Sequence, residues 1–319
     1  MIGLGLACSH AAGMFRPPEV WPQAAQNLAH GLAERYPGAR LELESVEHRR
    51  QLYARIHAGF DAMRAQVAAY RPDVIIYVGD DQGDMFNLSN NPTFAVYTGE
   101  EPMWGRTGYD WDKPVAQRSQ VVVQNHVELS RHLLTGLVKQ GFDVTNMARF
   151  EPAGRPGHGL SHMAARIAPE LDPSGTIPAV CIFLNEYFPP LPSGKRCAEL
   201  GRALAKALAD RPERIAICAS GGLSHYLDVA AGRRGEIDVP LDTWVLERLA
   251  RNDVAALENL FTFDSESVRS GTGEIRAWVT VAAAMNRPAT VIDYMPIHTL
   301  LTGVGFAAWT VEDIQYTPR

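Results

Sequence analysis

The sequence predicts an α/β fold, with a mainly β core sheet and flanking helices in a single domain over residues 1–319. Two observations support this prediction. Short apolar runs typical of buried strands recur along the chain, and stretches with one apolar helical face separate them. No repeat, low-complexity tract or linker interrupts this order, and 319 residues suffice for one full hydrophobic core.

Seven segments have the pattern of strands. The clearest is the β-branched run Val74-Ile75-Ile76-Tyr77-Val78, which is typical of a central strand covered on both faces. The seven predicted strands are residues 1–7, 74–78, 94–97, 179–184, 214–218, 290–294 and 303–311.

Seven further segments have helical periodicity. The segment 44–70 is long enough that we expect a bend or break before Arg71-Pro72-Asp73 ends it, and Ser193 is a candidate cap for the helix that follows it. The predicted helices are residues 24–36, 44–70, 125–139, 195–210, 240–251, 254–261 and 274–285. The tryptophan-rich segment 100–118 is a candidate lid or subunit contact.

Composition excludes several classes of protein. The net charge is −6 with no dense basic stripe, which argues against nucleic-acid binding. No apolar run approaches the roughly 20 residues that span a bilayer, and the N-terminus lacks a basic leader. The four scattered cysteines are typical of reduced core thiols, so we expect a cytoplasmic protein.

Polar clusters follow three predicted strands: Ser9-His10, Asp80-Asp81-Gln82 and Ser224-His225. If these strands are parallel neighbours, their carboxyl ends meet at one cleft, which is where open α/β sheets bind ligands. The alternatives are a capping histidine at residue 225 and a solvated turn at residues 80–82.

Two histidines and a carboxylate at such a cleft would suit a non-haem Fe(II) site. Spacing alone does not choose the carboxylate. Glu274 follows a Gly-rich turn and begins a predicted helix, so helix capping is an equal alternative for it. The candidate carboxylates are Asp80, Asp81, Asp84, Glu186, Glu236 and Glu274.

Other familiar sites are missing from the sequence. There is no G-x-G-x-x-G after the first strand and no G-x-x-x-x-G-K-[ST], so nucleotide binding has no support. There is also no G-x-S-x-G elbow and no H-E-x-x-H zinc motif.

Six motifs, in order over nearly the whole chain, resemble the LigB-type class III extradiol ring-cleavage dioxygenases. They are Ser9-His10, the stretch from Pro72 through Gln82 to Ala95, His158-Gly159-Leu160, the segment from Pro192 to Cys197, the segment from Ser220 to His225, and Gly273-Glu274-Ile275 with Trp278.

The resemblance implies roles for individual residues. His10 and Glu274 would be iron ligands, His225 the catalytic acid–base residue, and His126 a second catalytic histidine lining the pocket. The expected substrate contacts are the residues His158, Asp81 and Ser224. Fe(II) is the implied cofactor, and a small aromatic substrate and O₂ are the implied partners.

One position departs from the family pattern. The family has a histidine as its second iron ligand in an Asn-Asp-His sequence, and here the position reads Asp81-Gln82. Gln82 could bind metal through its side-chain oxygen, although an amide oxygen is a weaker donor for Fe(II) than imidazole. Asp80, Asp81 or a histidine such as His158 could replace it, or the chain could bind no iron.

Two functional hypotheses follow. The first is an Fe(II)-dependent extradiol dioxygenase that opens the ring of a catecholic or related aromatic or heteroaromatic acid with O₂. The alternative is a metal-free or metal-altered paralogue that acts as a non-catalytic partner subunit or small-molecule binder, or a different metal-assisted reaction on the same scaffold. We expect a homo-oligomer, or a heteromer with a homologous subunit.

Overall fold

The computed structural model describes residues 2–23, 43–226, 235–262 and 270–310. In these ranges the chain folds around one eight-stranded sheet and also forms a two-stranded hairpin. The strands are β1 (Ile2–Cys8), β2 (Val74–Asp80), β3 (Phe94–Tyr97), β4 (Met103–Arg106), β5 (Gln120–Val123), β6 (Thr145–Met147), β7 (Ala179–Leu184), β8 (Ile215–Ser220), β9 (Thr290–Ile297) and β10 (Thr302–Thr310). The hairpin pairs β4 with β5.

The sheet is mixed, with a parallel centre. Its strand order is β6-β3-β7-β2-β8-β1-β10-β9. The four central strands β7, β2, β8 and β1 are parallel, whereas β3 is antiparallel to β7, and β10 is antiparallel to both β1 and β9. The central strands are buried along their whole length, which explains their continuous apolar sequences.

Helices cover both faces of this sheet. Those of the described residues are α1 (Val46–Tyr70), α2 (Val127–Lys139), α3 (His162–Ala165), α4 (Ala168–Leu171), α5 (Gly194–Ala207), α6 (Val239–Ala250), α7 (Val254–Leu257) and α8 (Ile275–Met285). Along β2, alternate residues enter different cores: Val78 belongs to the core that includes α2, α5 and α8, whereas Tyr77 belongs to the core that includes α1. The predicted α/β class is therefore confirmed.

Most predicted elements form near their expected bounds. Helix α1 is one continuous helix of 25 residues, so the expected break does not occur. Ser45 caps its first turn, and Arg71 ends it in the left-handed conformation with φ 51°. Ser193 caps α5 as predicted, by accepting a hydrogen bond from the Arg196 amide.

Other elements differ from the prediction. The sequence pattern did not indicate the hairpin β4–β5, the edge strand β6, or the short helices α3 and α4. The predicted helix over residues 24–36 lies outside the described residues. In the part of the chain that the structure describes, no helix is long and apolar enough to cross a membrane.

The parallel strands bring four loops to one edge of the sheet. Gly79 pairs with Ser220, Cys8 also pairs with Ser220, and Asp80 pairs with Leu184. The C-terminal ends of β1, β2, β7 and β8 therefore lie side by side. The three predicted polar clusters meet there, as the parallel arrangement requires.

Candidate functional site

His10 lies directly beyond β1 and presents one unpaired ring nitrogen. Its Nδ1 forms a hydrogen bond with Ser220 Oγ at 2.8 Å. Its Nε2 is buried without a hydrogen-bond partner among the described residues, 3.4 Å from Glu274 Oε2 and 3.8 Å from Asp80 Oδ1. Burial lowers the pKa of His10 despite the Glu274 carboxylate, so the ring is neutral near pH 7.

His162 presents its ring to the same point from α3. Its Nδ1 lies 3.4 Å from Asp84 Oδ2, and its Nε2 lies 3.8 Å from Asp80 Oδ1. Its ring meets that of His10 edge to face, with centroids 4.4 Å apart. Burial, with the neighbouring His10 and Arg166, lowers the pKa of His162 to about 3. A carboxylate that holds Nδ1 and leaves Nε2 free is the usual support of a metal-binding histidine.

Glu274 is held by donors rather than used as a helix cap. Its Oε1 accepts hydrogen bonds from Tyr187 Oη at 2.5 Å and Gln82 Nε2 at 3.0 Å, and its Oε2 accepts one from the Gly222 amide. Its side chain makes no capping bond to α8. Burial opposes its ionisation, but His10 and His225 outweigh burial and hold the pKa of Glu274 well below its usual range.

These side chains fit a divalent cation. One ligand atom from each of His10, Asp80, His162 and Glu274 lies within 4.8 Å of the others, and all four residues are buried. Asp80 is fully buried, and neither of its carboxylate oxygens has a hydrogen-bond partner among the described residues. An isolated buried carboxylate is costly, and a cation between it and two neutral imidazoles would offset that cost.

His225 is the third histidine at this edge of the sheet. Its Nδ1 lies 2.8 Å from the Leu223 carbonyl oxygen, to which it donates, so Nε2 is the acceptor nitrogen. That Nε2 lies 3.3 Å from Tyr187 Oη and 3.5 Å from Glu274 Oε1. Burial alone would lower the pKa of His225, but Glu274 and the Leu223 carbonyl raise it overall. The side chain therefore belongs to the site and not to a helix cap.

A cavity of about 320 Å³ opens onto this group. His10, His162, His225 and Glu274 line one part of it. The 100–118 segment, which was predicted as a lid or a subunit contact, contributes another part of the lining through Arg106, Gly108, Trp111 and Arg118. This segment is therefore a wall of the cavity.

Two of the other predicted site residues also reach the cavity. Gln82 lines it, and its side-chain amide donates to Glu274, so this residue supports a carboxylate of the group. His158 lines it with Nδ1 3.2 Å from Asp84 Oδ1. Asp84, which also binds Arg155, thus connects His158 to His162.

Two predicted site residues, Asp81 and Ser224, are engaged elsewhere. The Asp81 carboxylate accepts hydrogen bonds from the amides of Gly83, Met85 and Phe86, so it shapes the loop after β2. Ser224 Oγ donates to Asp242 and supports the loop that carries His225. Neither residue is part of the cavity lining.

His126 is corrected by the structure. It caps α2 by accepting from the Leu129 amide, and its own amide donates to the Ala179 carbonyl. Ala179 is the first residue of β7, whereas the site lies beyond the last residues of the parallel strands. The expectation that His126 lines the pocket therefore fails, because the start of α2 is at the opposite end of the sheet.

Two residues of the site were missed from the sequence. His162 was not predicted, because its approach to Asp80 depends on how its segment returns to the sheet. Tyr187 could have been found: Asn185-Glu186-Tyr187 is a polar cluster directly after a buried strand, like the three predicted clusters. Of the candidate carboxylates, Asp80 and Glu274 join the group.

Comparison with known proteins identifies the family of this chain. Residues 40–306 match the family model described as the catalytic LigB subunit of aromatic ring-opening dioxygenase. A 2,3-dihydroxyphenylpropionate/2,3-dihydroxicinnamic acid 1,2-dioxygenase of Photorhabdus laumondii is 28% identical over 296 residues, which cover 78% of this chain and 88% of that protein.

Two further proteins are also similar to this chain. Gallate dioxygenase of Pseudomonas putida is 33% identical over 107 residues, which cover 33% of this chain and 30% of that enzyme. A solved structure of an uncharacterized Escherichia coli K12 protein covers 96% of this chain and 99% of its own, with 15% identity and a TM-score of 0.47. Because the family model spans most of the sequence, this chain belongs to the LigB family of aromatic ring-opening dioxygenases.

Proposed function

We propose that this chain is an Fe(II)-dependent extradiol dioxygenase that opens the ring of a catecholic aromatic acid with O₂. The observation that carries the proposal is the group His10, Asp80, His162 and Glu274, which gathers four potential ligand atoms within 4.8 Å at the cavity. Two imidazoles with a carboxylate and open positions are the ligand set of non-haem Fe(II) oxygenases.

In this proposal His10, His162 and Glu274 hold the iron, and Asp80 is a fourth donor. His162 then takes the role of the second histidine that the family pattern would put at the position of Gln82. The orientations of the two imidazole rings support this assignment. Ser220 contacts Nδ1 of His10 and Asp84 contacts Nδ1 of His162, so the Nε2 atoms of both rings face Asp80. Gln82, which donates to Glu274, would orient a ligand.

When bound, Fe(II) would supply the redox centre for the reaction of the aromatic ring with dioxygen. The chain's own task is to move a proton beside it. His225 Nε2 is the accepting atom, since Nδ1 donates to the Leu223 carbonyl. It can take a proton from a substrate hydroxyl in the cavity and return it later, because the pKa of an imidazole lies near neutral pH.

Tyr187 would position His225 in this scheme. Its hydroxyl donates to Glu274 Oε1 and lies 3.3 Å from His225 Nε2, so it connects the proposed base to a proposed ligand. The Tyr187 hydroxyl stays protonated, since burial and then Glu274 raise its pKa well above the usual value.

The test is anaerobic reconstitution with Fe(II), then O₂ uptake and absorbance of ring-opened product with 2,3-dihydroxyphenylpropionate and gallate. These are the compounds in the names of the relatives. We expect turnover of at least one, and His225→Gln should bind iron normally yet lose about 100-fold or more in kcat. His48→Gln, at an exposed histidine on α1, is the control.

Two outcomes would contradict the proposal. If the protein does not bind iron, the proposed reaction has no metal cofactor. The alternative hypothesis, a non-catalytic small-molecule binder, would then explain the protein better. Normal turnover by His225→Gln would show that proton transfer does not depend on this residue.

A further inference from the structure

Three arginines line the cavity without a carboxylate partner. They are Arg106 and Arg118, both in the 100–118 segment, and Arg166, which follows α3. No described Asp or Glu lies within ion-pair distance of any of them. Arg155, also in the lining, is different because its charge is matched by Asp84 at 2.7 Å.

Backbone carbonyl groups hold these three guanidinium groups in place. Arg106 Nη1 donates to the Arg118 carbonyl at 2.6 Å, and Arg118 donates to the carbonyls of Lys113 and Trp111. Carbonyl acceptors fix the direction of a guanidinium but leave its positive charge uncompensated. The wall is thus preorganised for an anion.

Arg166 connects this wall to the proposed metal ligands. Its Nε donates to the Thr107 carbonyl at 2.7 Å and its Nη1 to the His10 carbonyl at 2.9 Å. No hydrogen bond occupies Nη2 among the described contacts, and a Cβ at Gly108 would come within 3.0 Å of it. Glycine at residue 108, which also lines the cavity, leaves the space beside Nη2 open.

Unused donors extend along the same wall. Arg106 Nε and Trp111 Nε1 are buried and have no hydrogen-bond partner in the described residues. Buried donors without partners are costly, and so are guanidinium groups without a counter-charge. These two nitrogens are closed off from the cavity, so an anionic ligand there would offset only the cost of the guanidinium charges.

We propose that Arg106, Arg118 and Arg166 form a carboxylate-binding wall that selects aromatic substrates with an acidic substituent. The inference rests on the proposed function for the identity of the reacting ring. In the proposed binding mode, the hydroxyl oxygens of the substrate ring point toward His10 and Glu274, and the substrate carboxylate points toward the three arginines. Arginine suits this role because its planar fork donates two parallel hydrogen bonds to a carboxylate.

The test compares two unreactive probes of equal shape, benzoate and benzamide, by isothermal titration calorimetry on the full chain. We expect benzoate to bind at least about tenfold more tightly than benzamide. A hydrogen bond between charged groups contributes more binding free energy than a neutral one, and the difference corresponds to about this factor. Arg106→Gln and Arg118→Gln should each weaken benzoate about tenfold and leave benzamide unchanged.

Arg149→Gln is the matched control. This arginine is 80% exposed and lies outside the cavity lining, so its loss removes the same charge without touching the wall. Equal binding of the two probes, no benzoate binding, or benzoate binding unaffected by the Arg106 and Arg118 variants would overturn the proposal. Ring opening is not measured, so failure of the proposed dioxygenase activity would leave this result standing.

Discussion

Gly271 leaves the space that the ring of His225 occupies. A Cβ built at residue 271 would fall on His225 Nε2, well inside van der Waals contact. The same ring is close to Gly222, where an added Cβ would lie 2.8 Å from Cε1. The two glycines therefore determine where the proposed acid–base nitrogen can be.

We predict that Gly271→Ala reduces the kcat of ring opening about 100-fold, because His225 must leave its position between Tyr187 and Glu274. The measurement is steady-state kinetics beside a urea unfolding curve. Gly175→Ala is the control: its surroundings are open, so the alanine meets only backbone strain at φ +63° and should not affect kcat. Wild-type kcat in Gly271→Ala would refute this assignment of His225.

At the scale of residues, the sequence predicted part of the site. His10, Glu274 and His225 were predicted and line the cavity, and each lies within a few residues of an element with a clear pattern. The approach of His162 to Asp80 was not predictable. About 80 residues separate His162 from Asp80 in the sequence, and the fold brings the two side chains together. Local spacing carries no information about such a contact.

At the scale of elements, helices α5 and α8 approach each other at a glycine. Gly201 on α5 faces α8, and a Cβ there would overlap the Thr280 carbonyl oxygen and lie 2.9 Å from the Ala284 amide nitrogen. Helix propensity favours alanine over glycine by roughly 0.5–1 kcal/mol. At this position the backbone contact opposes that preference.

Gly201→Ala should therefore destabilise the protein by about 1–3 kcal/mol or more, the usual cost of overpacking. The free energy of unfolding in urea measures it. Gly136→Ala on α2 is the matched control and should cost less, since a Cβ there meets one methyl carbon, Ala207 Cβ at 2.9 Å, and no backbone atom closer than 3.8 Å. If Gly201→Ala raised the stability, the close contact of the two helices would be disproved.

Element patterns predicted the central sheet better than its surroundings. The strands β2, β7 and β8 are buried on both faces and have continuous apolar sequences, so they were recognisable. The hairpin β4–β5 was not, because each strand has only four residues and those of β5 are mostly exposed, with Arg106 and Gln120 paired where the connecting segment begins and ends. Packing over the cavity, not local pattern, stabilises it.

At the scale of the whole molecule, the charge is distributed unevenly. The chain has a net charge of −6, yet the cavity lining has three arginines without acidic partners. This local set of arginines does not follow from the overall composition. The overall charge balance therefore could not predict the proposed anion-binding wall.

The pH dependence of stability is a second property of the whole molecule. Asp242 on α6 accepts hydrogen bonds from Ser224 and Tyr294 below the loop that carries His225. Burial, opposed by these bonds, raises the pKa of Asp242 to about 6. Since the folded pKa exceeds the ordinary 3.8, the folded state binds the proton more tightly, and the stabilisation is lost as pH rises from about 4 to 6.

We predict that Asp242→Asn, which imitates the protonated form, removes this dependence. The unfolding free energy of the wild type relative to the variant should fall between pH 4.5 and 7, by on the order of 2 kcal/mol. Urea unfolding curves at several pH values measure the difference. A difference that rises with pH would mean that Asp242 is stabilised as the anion instead.

The central claim is that His162, rather than Gln82, completes the metal site. The most direct measurement is anaerobic Fe(II) titration of the wild type, His162→Ala and Gln82→Ala, with a chromophoric chelator as competitor. The account predicts one iron per wild-type chain, a loss of affinity of about 100-fold or more in His162→Ala, and a change of no more than about tenfold in Gln82→Ala. Wild-type affinity in His162→Ala, with affinity lost in Gln82→Ala, would contradict it and return the second ligand position to Gln82.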